Sequence, residues 1–302
     1  MHLTLRQLLI FVAVAESGST TAASHRVALS QSATSAALNE LEKALRAPLF
    51  DRVGKRLLLN DNGRVLLPQA RAALDVAAGI EAEFGAGGLK TAAGPPINLR
   101  IAASTTIGNY LLPGLIAGFR KQFPRARVEV QIQNTRHASA AVGRFEVDLG
   151  LIEGPAHEPE VQAEPWIEDE LAILCSPQHP LALEKQRIKL KALRQASWLL
   201  REPGSGTREA VEAALRPHLL QLQEDLQVGS TEAIKQAAAE GLGLTCLSRV
   251  AVADAITLGK LQVLETTLPR LVRPFYLIHH RRKQMSAGLA QFMAHCRNLS
   301  HR

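Results

Sequence analysis

The chain has 302 residues, 46% of them hydrophobic and 21% charged, with a formal net charge of +7. That length suits two or three folded domains, and the positive balance favours a polyanionic partner. No apolar run approaches the roughly 18 residues of a membrane span, Arg6 and Glu16 break the apolar start in a way that does not suit a signal peptide, and the three cysteines, Cys175, Cys246 and Cys296, are too scattered for a disulfide framework or a zinc site. The expected location is the cytoplasm, with no membrane and no cofactor involved.

From Leu5 to Glu16, the residues Leu5, Leu8, Leu9, Phe11, Val12 and Ala15 recur at helical spacing and form a strongly apolar face. The next stretch, Ser19 to Leu45, carries Ala22, Ala23, Val27, Leu29, Ala33, Ala36, Ala37, Leu41 and Leu45, which suits two short helices with a break around Ala28–Ser30. The first runs from about Thr20 to Arg26 behind a Ser19 or Thr20 cap. The second opens at Ser30, whose hydroxyl can cap the amides of Ser32 and Ala33, and ends near Leu45. Small residues at the crossing let the backbones approach closely, which is the steric demand of a helix-turn-helix. Ser30, Gln31, Ser32, Thr34, Ser35 and Asn39 crowd the start and outer face of the second helix with short polar side chains suited to base edges or phosphates. Ordinary capping accounts for a serine-rich helix start equally simply.

After this helix, Pro48 is a stop, Val53-Gly54 a turn and Leu57–Leu59 a short strand, so 47–60 reads as a wing. Arg52, Lys55, Arg56 and Arg64 lie in or beside it, where cations can neutralise phosphates or enter a minor groove.

Three blocks, RQLLIFVAVAESGSTTAAS, SQSATSAALNELEKAL and LFDRVGKRLLLNDNGR, together resemble the N-terminal winged helix-turn-helix of LysR-type transcriptional regulators. The likeness extends along the whole chain, most to the YeiE-like branch and more distantly to the CysB-like sulfur regulators. It implies an N-terminal all-α winged helix-turn-helix domain followed by a two-lobed α/β effector domain resembling a periplasmic binding protein. One departure is that many members have proline after the Ser-Gln of the second helix and arginine soon after, where this chain has Ser32 and Ala36. Base preferences therefore do not carry over.

From Asn62 to about Phe84, Val65, Leu66, Ala70, Ala73, Leu74, Ala77 and Ile80 form one apolar stripe. Pro68 fits a helix best in its first turn, which would move the start to about Leu67. A stripe without a nearby core needs a partner, and the resemblance implies the same helix of a second subunit. Gly85–Gly88 and Thr91–Pro96 read as a linker, with a boundary near Lys90. The expected domains are 1–61 for the winged helix-turn-helix, 62–90 for the dimerising helix and hinge, and 91–302 for the effector domain. Its first lobe takes about 91–165 and 269–302, and its second about 166–268.

The effector region alternates strand and helix: strands at Asn98–Ala103, Val128–Ile132 and Val147–Ile152 with helices at Ile107–Phe123 and Ala138–Phe145 between them. A second set has strands at Leu171–Cys175, Trp198–Leu200 and Leu244–Leu247 and helices at Thr207–Leu215 and Ile234–Glu240. A strand at Pro274–His279 and a helix at Ser286–Arg297 follow. Two such lobes leave a cleft at the strand ends. Around it fall Ser104, Thr105 and Thr106, then Asn134, then Ser205, Gly206, Thr207 and Arg208, then Thr231, each just ahead of a helix whose N-terminus favours a small anion. Each of these loops is equally an ordinary cap. Arg201 and Arg208 can clamp an anion, or be neutralised by Glu202 and Glu209; Glu153, at the end of a strand, opposes an anion unless it is paired or protonated.

The expected function is a DNA-binding transcriptional regulator modulated by a small anion between the lobes, for which the YeiE-like resemblance favours a sulfur oxyanion such as sulfite. Its expected partners are double-stranded DNA, the anionic effector, a second copy of the chain, a homotetramer by resemblance, and RNA polymerase as a candidate. An enzyme finds little support: GSGT at 204–207 lacks the G-x-S-x-G elbow, Gly241-Leu242-Gly243 lacks the third glycine of a dinucleotide fingerprint, and neither HExxH nor a P-loop occurs. An exported solute-binding protein fits the two lobes but not the first 90 residues.

Overall fold

A computed structural model describes residues 3–54, 56–84, 97–184 and 186–298. The expected linker at 85–96, the boundary at Lys90 and the wing residue Lys55 lie outside the described residues. The chain forms two compact units, one built on the helices and hairpin of the first 84 residues, the other on Ile97 onwards apart from 144–146 and 282–287.

In the first unit, helix α1 (Leu5–Ser17) starts in a capping box between Thr4 and Gln7 and ends at Gly18, whose φ of 65° the left-handed region reserves largely for glycine. Helix α2 (Thr20–Arg26) is capped by Ser19. The chain reverses at Ala28, with φ 52°, into helix α3 (Gln31–Leu45), where the Ser30 hydroxyl accepts from the Ala33 amide at 3.1 Å. Fully buried Phe11, Val14, Ala23 and Leu41 fill the centre, and Phe11 meets Phe50 with ring centroids 5.5 Å apart. Strands β1 (Phe50–Val53) and β2 (Arg56–Leu59) pair antiparallel as the wing.

Helix α4 (Asp61–Phe84) corrects one expectation: it starts six residues before Leu67, with Pro68 inside it. Two local features set that start. The Asn60 side chain accepts from the Gly63 amide at 3.0 Å, and Gly63 packs so closely that a Cβ would lie 2.2 Å from the Leu49 carbonyl oxygen. The proline removes one helical hydrogen bond, which these contacts outweigh.

In the second unit, strand β3 (Asn98–Ser104) lies between parallel neighbours β4 (Arg127–Gln133) and β5 (Leu149–Glu153). Between β3 and β4 there are two helices, α5 (Thr105–Tyr110) and α6 (Leu112–Gln122), instead of the single one expected. Pro113 lies in the first turn of α6, where its missing N–H costs nothing, and its ring would clash with a helix continued from α5. Helix α7 (Thr135–Gly143) connects β4 to β5.

A long strand, β6 (Val161–Cys175), follows, in place of the short one expected at Leu171–Cys175. Beyond it come helix α8 (Leu190–Gln195), strand β7 (Ser197–Arg201), helix α9 (Gly206–Leu219), strand β8 (Gln223–Val228), helix α10 (Thr231–Ala239), strand β9 (Thr245–Ser248), helix α11 (Arg249–Thr257), strands β10 (Gln262–Val263) and β11 (Leu271–His280), and helix α12 (Ala287–Arg297). β11 runs antiparallel along nearly all of β6, from Leu271 opposite Leu171 to His280 opposite Val161, and also pairs with β5. β11 thus joins β6 to β5 within one sheet, and its register against β6 slips between Pro274 and Tyr276.

One core gathers Ile101, Ile107, Phe119, Phe275 and Phe292. Another surrounds Trp198, which is fully buried and donates its indole N–H to the Leu193 carbonyl at 2.9 Å. β7 and β8 form their own parallel pair. Among the described residues, no helix is long and apolar enough to cross a membrane.

Candidate functional site

The α3 surface separates the expected DNA-contacting residues. Ser30, Gln31, Ser32 and Asn39 are exposed and Ser35 is half-buried. Thr34 is a correction: it is completely buried, and its hydroxyl donates to the Ser30 carbonyl at 3.0 Å, so it holds the helix start together and presents nothing to a groove. The Gln31 amide nitrogen donates to the Thr20 hydroxyl at 3.2 Å, tying the two helices at their exposed ends. Arg52 and Arg56 are exposed on the wing strands. Glu16 of α1 pairs with Arg26 of α2 and with buried Arg71 of α4, each at 3.0 Å, and so ties three helices together.

In the second unit the strand ends bring together a buried charged cluster. Arg273 on β11, 2% exposed, meets Glu153 at the end of β5 at 2.5 Å and Asp169 on β6 at 2.7 Å. Its Nη1 also donates to the Thr207 hydroxyl at 3.0 Å. The Glu153 carboxylate accepts from the hydroxyls of Thr106 at 2.9 Å and Thr207 at 2.8 Å, and Ser248 donates to Asp169 at 2.6 Å. Burial is the largest influence on Glu153 and pushes its carboxyl up, but Arg273, the two threonine hydroxyls and Arg201 together hold it below the usual range. For Asp169 burial prevails and raises the carboxyl despite Arg273 and Ser248. Gly206 is needed here, because a Cβ would come 1.8 Å from the Glu153 carbonyl oxygen and 2.5 Å from the Thr135 hydroxyl. Glu153 is thus paired, and Arg273, which composition and motif reading passed over, is the partner.

A second cluster gathers around Arg201. Arg201 ends β7 with 2% of its surface exposed. Its Nη1 donates to the Thr231 hydroxyl at 2.8 Å and its Nη2 to the Thr105 hydroxyl at 3.3 Å, so that one guanidinium joins the starts of α10 and α5. Glu202 caps it in two-pronged fashion, at 2.8 Å from Nε and 3.0 Å from Nη2, and also accepts from Asn134 at 3.1 Å. Burial raises the Glu202 carboxyl, but the Arg201 guanidinium, together with a backbone hydrogen bond and Asn134, brings it below the usual range. Ser104 is buried, and its hydroxyl has no hydrogen-bond partner among the described residues. Ser205 caps α9, accepting from the Arg208 amide at 3.5 Å.

Arg208 is a further correction. Its guanidinium turns away to Glu212, Glu224, Gln227 and the Arg201 carbonyl, because the first turn of α9 directs it toward β8. Glu209, the neighbour considered as its neutraliser, instead meets His157 at 3.0 Å. Sequence reading also missed Lys235, 4% exposed on α10, which donates to Tyr110 at 3.2 Å and Asp254 at 3.1 Å, while the Tyr110 hydroxyl bonds Glu232. The three cysteines are free and buried, and burial pushes Cys246 and Cys296 up to about 12 and Cys175 to about 11.

Family models match both parts of the chain: the LysR substrate binding domain over residues 93–300, and the bacterial regulatory helix-turn-helix protein, lysR family, over residues 5–64. The chain is 47% identical over 300 residues to the HTH-type transcriptional regulator YeiE of Escherichia coli strain K12, covering 98% of each. Among solved structures, a full-length single-residue variant of OxyR from Pseudomonas aeruginosa superposes with a TM-score of 0.80 at 25% identity, covering 99% of this chain and 94% of that one. The regulatory domain of Synechocystis CcmR, in complex with 2-PG, gives 0.62 at 29% identity, covering 67% and 97%.

Proposed function

Because the chain belongs to the LysR family of DNA-binding transcription regulators, we propose that it is a cytoplasmic regulator whose DNA binding responds to a small oxyanion, sulfite-like in size and charge, held between the two effector lobes. Its function is regulation of transcription rather than catalysis. Two copies would set two α3 helices in successive major grooves, with Gln31, Ser32 and Asn39 toward the bases and Arg52 and Arg56 on phosphates. The long α4 helix would supply the dimer contact, and dimers would pair into tetramers.

The observation that carries the effector reading is Arg201. A guanidinium buried to 2% exposure, with the Thr105 hydroxyl of one lobe and the Thr231 hydroxyl of the other on its nitrogens, is a cation built to be shared across a closing cleft. Helix α10 starts at Thr231, which adds the favourable end of a helix dipole. Further support comes from the relative solved with 2-PG, a small ligand held by a regulatory domain of this kind. Anion binding would shift the lobes toward a closed population and so alter how the DNA-binding units are presented.

The experiment is thermal unfolding of the full-length protein against sulfite, sulfate and other small anions. A ligand bound only by the folded state raises the midpoint, by about 2.7 kcal/mol of stabilisation at a hundred times its Kd. The expected result is a rise for at least one oxyanion, lost in Thr105→Ala and Thr231→Ala. A midpoint indifferent to every anion refutes the effector reading and leaves the DNA-binding one intact.

A further inference from the structure

We propose, resting on the effector reading above, that Glu202 is a built-in competitor for the effector: its carboxylate occupies the Arg201 guanidinium, and the incoming anion takes the site by exchange. Both carboxylate oxygens are engaged, at 2.8 Å from Nε and 3.0 Å from Nη2, which is the two-pronged geometry an oxyanion or carboxylate ligand would adopt on the same group. Glu202 also accepts from Asn134 of the opposite lobe at 3.1 Å, so it holds two of the groups expected to contact effector.

The two partners differ in freedom. The Arg201 side chain is 2% exposed and keeps two hydrogen bonds that do not involve Glu202, to Thr231 and Thr105, whereas the Glu202 side chain is 21% exposed. The Glu202 backbone is held by the turn that follows, where its carbonyl accepts from the Ser205 amide at 3.1 Å, so release requires only a side-chain rotation into water. The cation therefore stays and the resident anion leaves.

Charge balance then defines the ligand class. Three carboxylates, Glu153, Asp169 and Glu202, face two guanidiniums, Arg201 and Arg273, and the first two carboxylates are committed to Arg273. With Glu202 in place these five groups sum to −1 and without it to zero, so a singly charged anion on Arg201 restores the resident balance and a doubly charged one exceeds it. The cleft thus takes singly charged oxyanionic or carboxylate groups in preference to doubly charged ones, and neutral or cationic solutes leave Glu202 in place.

Isothermal titration of the full-length protein with sodium sulfite, sulfate and phosphate tests this. Glu202→Gln keeps the shape and an acceptor oxygen but removes the charge, and Glu209→Gln removes the charge of a carboxylate bonded to His157 and not to Arg201. The expected result is affinity for at least one anion about tenfold or more tighter in E202Q and unchanged in E209Q. E202Q should also have a lowered unfolding midpoint that the same anion restores, which separates exchange from simple loss of folding. Anion binding by the wild type with E202Q no tighter, or with E209Q gaining equally, overturns the competitor role alone. No binding by wild type or E202Q overturns the effector reading and this inference together.

Discussion

Replacing Arg273 with methionine should expose how much of the effector unit hangs on one guanidinium. The side chain is 2% exposed and pairs with Glu153 at 2.5 Å and Asp169 at 2.7 Å, so R273M removes from two buried carboxylates the cation in contact with them. Breaking a buried pair costs about 3–5 kcal/mol, and the alternative, protonating a carboxyl of ordinary pKa at pH 7, costs about 3.7 kcal/mol. Both routes give a loss of about 4 kcal/mol, or roughly 8–16 °C in midpoint for a unit of this size. The pH dependence has a definite sign. In the wild type Glu153 sits below its unfolded pKa, so its contribution is present above that pKa and fades as pH falls through the folded one. Without Arg273, burial prevails and its pKa rises, the native state binds more protons than the unfolded chain, and the deficit grows with pH by about 1.4 kcal/mol per unit for each proton. Urea unfolding followed by the fluorescence of Trp166 and Trp198, both buried in this unit, measures it at pH 5.5 and 8. A loss under about 1 kcal/mol, or one equal at the two pH values, refutes the role given to Arg273.

Gly206→Ala should destabilise by about 1–3 kcal/mol in the same urea assay, since its methyl would meet the Glu153 backbone and not a flexible side-chain end. The native thiols should resist iodoacetamide at pH 8, all three being buried and pushed up to about 11 or 12, and become reactive in denaturant; rapid native labelling of any one would contradict this. Thr34→Ala should cost about 1 kcal/mol in stability without altering which promoter sequences are preferred, whereas exposed Gln31→Ala should change DNA affinity with stability within about 0.5 kcal/mol. Fluorescence anisotropy of labelled promoter DNA at fixed salt, beside thermal unfolding, separates the two.

Local signals made the first unit legible. Ser19 and Ser30 are caps, α2 spans Thr20–Arg26, and Val53-Gly54 lies at the end of β1, all from short-range rules that operate within a few residues. Pro68 misled because the features that fix the helix start, the Asn60 cap and the Gly63–Leu49 contact, are specific to packing. β8 escaped notice because its residues, QEDLQV, are nearly all exposed and carry no apolar alternation. The hydroxyls and charges ahead of the helices were legible as a set, but not their pairing. Arg273 lies 120 residues from Glu153 and 104 from Asp169, and the pairing of β11 with β5 on one side and β6 on the other brings them together. Arg208 went astray because adjacency in sequence does not tell which way a first-turn side chain leaves its helix.

The most direct measurement is the affinity of the full-length protein for the DNA upstream of its own gene, with and without sulfite at constant ionic strength, beside random DNA of the same length. Coupled lobes and DNA-binding units predict sequence-specific binding whose affinity or footprint changes with the anion in the wild type and not in Thr105→Ala or Thr231→Ala. Specific binding that no small anion alters, in wild type and variants alike, would contradict the link between the Arg201 cleft and DNA.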